Sequence, residues 1–76
     1  MAKADRLDAK IKRLRRIEAS YRSEIRRAEV NMEEDSVNPG KARKKYEKTR
    51  IRNSWKIEAL SEKIRDLTRK RAELVT

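Results

Sequence analysis

At 76 residues, 47% charged and 36% hydrophobic, the chain can form one thin domain, without a broad core or an enclosed small-molecule pocket of about 300 Å3. Lysine and arginine number 23 against 13 aspartate and glutamate, a net charge of +10 that points to an acidic partner. Cysteine and histidine are both absent. That removes disulfides, thiolate chemistry, the two commonest zinc ligands and the commonest general base, so no enzyme, cofactor or metal site is expected.

The first periodic segment is expected over about residues 4–33. Leu7, Ile11, Leu14, Tyr21, Ile25, Ala28 and Met32 keep alternating steps of four and three, the spacing of apolar a and d positions in a heptad. Glu18 fills the one slot where an apolar residue is missing, with Ile17 beside it. Asp5 and Asp8 fall in the first turn, where negative charge suits the helix dipole. Lys10, Lys12, Arg13, Arg15 and Arg16 surround this helix without lining one face, and read as a solvated flank partly taken up by Asp8 and Glu18.

The periodicity stops at residues 33–40, with a turn expected over about 34–38. Asn38 is a good N-cap and Pro39 a good first helical residue, so a second helix should run from 39 to about 74. Glu33, Glu34 and Asp35 end the first helix, and Lys41, Arg43, Lys44 and Lys45 open the second. Each cluster sits at the wrong pole of its helix dipole; if the helices fold back, the clusters face and offset each other. The acidic triplet reads as a solvated turn and not as a cation site.

In the second helix Ile57, Leu60, Ile64, Leu67 and Leu74 resume the heptad, with Arg71 in an apolar slot. Carried backwards, that register reaches Arg43, Tyr46, Arg50 and Asn53, a poor seam. On the same helix Lys41, Lys45, Lys48, Arg52, Lys56, Lys63 and Lys70 share one narrow sector. Ile51 and Trp55 lie at its edge, nearly opposite the apolar stripe.

These elements predict an all-α fold: a two-helix antiparallel coiled-coil hairpin forming a single domain over 1–76. Leu7 should meet Leu67, Ile11 meet Ile64, Leu14 meet Leu60, and Ile25 approach residues 49–50, in a hairpin roughly 40–50 Å long. One internal interface gives little stability, so self-association or a partner should add to it. No apolar run approaches the ~18 residues of a membrane span, and the first fifteen residues lack the apolar core of a secretory signal. An intracellular, cytoplasmic protein is expected.

The working surface should lie where charge is dense and the seam is weak. Trp55 and Ile51 would supply a buried centre, with Lys48, Arg52 and Lys56 as a charged rim and Lys41 and Lys45 beyond it. The competing reading places Trp55 over the stems of Lys48 and Arg52, or turns it into the core by a register shift. Tyr21 and Tyr46 fall in core register and read as packed residues, not base-stacking ones. The expected partner is an acidic protein surface or a second copy of the chain. The alternative is nucleic acid, held by its phosphate backbone without base readout.

Asn38-Pro39 leading the second helix, followed by IRNSWKIEALSEKIRDLTRKR, resembles the antiparallel coiled-coil finger of Rho effectors such as protein kinase N and fungal protein kinase C. The first helix, RLDAKIKRLRRIEASYRSEIRRAE, has comparable apolar spacing, although Ala19-Ser20 stands near where the family usually has Gly-Ala. This resemblance implies binding to a small GTPase. AEVNMEEDSVN and EALSEKIRDL are also similar to pieces of the N-terminal hairpin of hantavirus nucleocapsid proteins, which would imply oligomerisation beside RNA.

Overall fold

The computed structural model describes residues 3–75, and the side chains of 3–74. The single-domain limits of 1–76 therefore include Met1, Ala2 and Thr76, which lie outside the described residues. Two helices, α1 (Lys3–Glu34) and α2 (Pro39–Val75), account for all but the four-residue turn between them. They fold back on each other as an antiparallel, coiled-coil-like hairpin of 58 × 17 × 13 Å. The rod is longer than expected because α2 alone, at 37 residues, spans about 55 Å. No described helix is long and apolar enough to cross a membrane.

The turn is built from side-chain caps. Asp35 Oδ1 accepts the backbone N–H groups of Val37 and Asn38, each at 3.1 Å, which closes the end of α1. Asn38 Oδ1 accepts the N–H of Lys41 at 3.4 Å, and Ala42 N–H donates to the Asn38 carbonyl at 3.1 Å, so Asn38 is the N-cap and Pro39 opens α2. Gly40 lies inside the first turn of α2, and no described residue of the connection has a positive φ. The two charge clusters beside the turn do not pair across it. Arg43 turns instead to Glu47, one turn along its own helix at 3.5 Å.

Between the helices runs one seam. Along α1 and into the turn it is an unbroken heptad: Ala4, Leu7, Ile11, Leu14, Glu18, Tyr21, Ile25, Ala28 and Met32 on the helix, and Asp35 just beyond it, are its buried or half-buried positions. The dry centre of the hairpin is Ile11, Leu14 and Leu67, packed with Leu7, Leu60 and Ile64. Besides Asp35, whose carboxylate caps the turn, the seam holds two charged residues, and both are partnered. Glu18 accepts from Arg22 at 2.8 Å and from the Ser61 hydroxyl at 3.5 Å, while Arg71 crosses to Asp8 at 3.0 Å.

On α2 the seam changes register. Its inward positions are Ala42, Tyr46, Thr49, Asn53, Ile57, Leu60, Ile64, Leu67 and Arg71. Steps of three, four and four between Tyr46 and Ile57 make an eleven-residue repeat, which locally unwinds a left-handed supercoil. The backward register through Arg43 and Arg50 is therefore not the one adopted; both are exposed. Burying two guanidinium groups without partners costs far more than burying small Ala42 and Thr49. Nor does the shift turn Ile51 or Trp55 inward, and they remain 54% and 75% exposed. Asn53 takes the innermost place at 1% exposed, donating from Nδ2 to the Tyr21 carbonyl at 3.3 Å.

Candidate binding face

Every residue of the α2 basic stripe is the immediate predecessor of a seam residue. Lys41, Lys45, Lys48, Arg52, Lys56, Lys63 and Lys70 precede Ala42, Tyr46, Thr49, Asn53, Ile57, Ile64 and Arg71 in turn. The predecessor of a seam position sits about 100° around the helix, on one flank of the groove. Because the stripe takes the same four-residue step as the seam (Arg52 to Lys56, Asn53 to Ile57), it stays on that flank through the register change.

In an antiparallel pair the predecessor flanks of both helices share one side of the groove. Arg52 on α2 meets Glu24 on α1 at 3.6 Å across this side, and Glu24 itself precedes the seam residue Ile25. Lys56 Nζ sits 5.2 Å from the centroid of the Tyr21 ring, a cation over an aromatic face. Lys3, Arg6, Lys10, Arg13 and Arg27 occupy the matching flank of α1. This side therefore carries twelve cations against three carboxylates, Glu24, Glu34 and Asp66. The other side, formed by the residues that follow each seam position, carries seven cations and six carboxylates. Most of the net +10 is thus on one side of a two-sided rod.

The sequence alone concealed the contribution of α1. Lys10, Lys12, Arg13, Arg15 and Arg16 surround an isolated helix, but pairing with α2 sorts them. Lys10 and Arg13 join the basic side, Lys12 and Arg15 take the mixed side, and Arg16 points away from the groove. The signal that could have found this is the offset from the seam, once the seam is known.

Of the residues singled out for binding, all seven lie on or beside this side. Lys41, Lys45 and Lys48 are exposed, whereas Arg52 and Lys56 are already engaged with Glu24 and Tyr21. Trp55 stands at the outer edge, one helical turn from Ile51, Arg52 and Ala59 and two from Lys48. Nothing on α1 covers its indole, which explains its 75% exposure. The seam beneath this stretch is polar and small: Thr49 and Asn53 stand where the other end has Leu60, Ile64 and Leu67.

No group of three or more His, Cys, Asp or Glu residues able to hold a metal ion occurs among the described residues. An open groove of about 430 Å3 lies at the open end of the hairpin against Leu7, Leu74 and the stems of Lys3, Arg6 and Lys70. No family model matches the chain, and neither a curated protein nor a solved structure is similar to it, so its fold and its charged face stand on their own geometry.

Proposed function

We propose that the chain is a non-enzymatic binding module whose working surface is the basic side of its groove, and that an acidic macromolecule docks there. The observation that supports this most directly is the coincidence of stripe and seam. Seven of the nine residues that precede the inward positions of α2 are cations, on both sides of the register change. Solubility requires net charge but no particular side for it.

The same charge argues against self-association through this surface. A symmetric dimer would oppose twelve cations to twelve, and like-charge juxtaposition costs several kcal/mol. The occupant is therefore a partner of opposite sign. The likeness to the Rho-effector finger supplies one candidate, a small GTPase; the nucleocapsid likeness supplies another, RNA.

A charge-matched pair of variants tests the reading. Replacing Lys45, Lys63 and Lys70 by glutamine removes three cations from the basic side; replacing Lys12, Arg26 and Arg65 removes three from the mixed side. Binding to acidic polymers, polyglutamate and an oligonucleotide, is followed by fluorescence anisotropy at low salt. The first variant should lose about tenfold or more in affinity and the second only a few-fold, since long-range attraction alone depends on net charge. Equal losses would show that the side is irrelevant and sink the proposal.

A further inference from the structure

We infer that the acidic partner is single-stranded nucleic acid, its backbone running along the basic side and one base stacking on Trp55. This rests on the reading above and names its ligand. Three features separate a phosphate backbone from an acidic protein surface.

The first is the choice of cation. Six of the seven stripe residues on α2 are lysine, and the one arginine, Arg52, is held by Glu24. Protein interfaces are depleted in lysine, whereas the planar fork of arginine serves carboxylate and phosphate alike. A compact ammonium suits a phosphate met as a point charge at variable geometry.

The second is shape. From Lys41 to Lys70 the stripe extends about 44 Å along a rod only 17 by 13 Å in section. A long narrow row of like charges matches a polymer better than the roughly circular patch of a globular partner.

The third is Trp55. Its indole is 75% exposed beside the stripe, one turn from Arg52 and two from Lys48. An exposed aromatic next to a basic track is how sequence-tolerant strand binders hold unpaired bases. The two tyrosines cannot share that role: both lie half-buried in the seam, and Lys56 occupies the Tyr21 ring face. Paired bases have no free face to offer, which selects a single strand over a duplex.

The test titrates the full chain into three labelled ligands at about 50 and 200 mM salt: an oligouridylate of about 20 nucleotides, a duplex of the same length, and a polyglutamate peptide. The strand should bind best and quench Trp55 emission. Its affinity should fall with salt along a log–log slope of about −4, given some six phosphates at about 0.7 each. Trp55→Ala should weaken strand binding about tenfold with unchanged helicity, and Trp55→Phe should restore most of it. Polyglutamate bound in preference to the strand would overturn the inference and leave the basic side standing as a protein-docking surface. A duplex bound as tightly as the strand, with Trp55→Ala silent, would overturn it too. Failure of all three ligands would take the proposed function down with it.

Discussion

Asn53→Val should stabilise the hairpin. Asn53 is 1% exposed, its Oδ1 has no partner, and its Nδ2 reaches the Tyr21 carbonyl at a long 3.3 Å. A buried acceptor without a donor costs about 1–3 kcal/mol, while one neutral hydrogen bond returns about 1 kcal/mol. Valine is close to asparagine in volume and helix propensity, and burying its branched side chain contributes about 1.5 kcal/mol. Allowing for imperfect packing beside Tyr21, the net gain should be about 1–2 kcal/mol. For a chain of this size that raises Tm by roughly 5–10 °C. Circular dichroism melts and urea titrations at two protein concentrations measure it, the second concentration exposing any new association that loss of the buried polar residue permits. A variant less stable than the parent by 1 kcal/mol or more would refute the reasoning, because Asn53 would then be fully satisfied.

Leu14→Ala, at an 8%-exposed position in the dry centre, should cost about 2–4 kcal/mol and unfold much of the hairpin at 25 °C; a loss below about 1 kcal/mol in urea titration would mean that the seam is not what holds it. Asn38→Ala removes the acceptor for Lys41 N–H and should lower stability by about 1 kcal/mol, read from the same titration; no change would refute the cap assignment. Raising salt from about 0.01 to 1 M shortens the Debye length from about 30 to about 3 Å and should raise Tm, because the basic side repels itself. A falling Tm would mean that exposed pairs such as Arg52–Glu24 and Arg71–Asp8 outweigh that repulsion.

The hairpin was legible because α1 keeps its heptad from Leu7 to Met32, and because Asn38 and Pro39 announce a helix start in the only break. The α2 register near the turn was not. Ala42 and Thr49 are too small and too weakly apolar to show in a hydrophobic pattern, and they win the inward places only because Arg43 and Arg50 would suffer more there. The stripe on α2 could be read directly, since its residues recur on one helix. The matching cations of α1 could not, because their side of the groove is defined only by the partner helix. Trp55 was ambiguous for a related reason: whether it turns inward depends on which way the register slips.

The eleven-residue step has a consequence for the path a ligand would follow. In a two-stranded coil of about 150 Å pitch, a flank carried for the ~55 Å of α2 winds through about a third of a turn around the rod. Local unwinding between Tyr46 and Ile57 straightens that path over the stretch holding Lys48, Arg52 and Lys56. The basic track is thus a shallow spiral with a flat landing beside Trp55. A rigid partner could touch the landing alone, whereas a flexible strand could lie on it and follow the spiral toward Lys63 and Lys70.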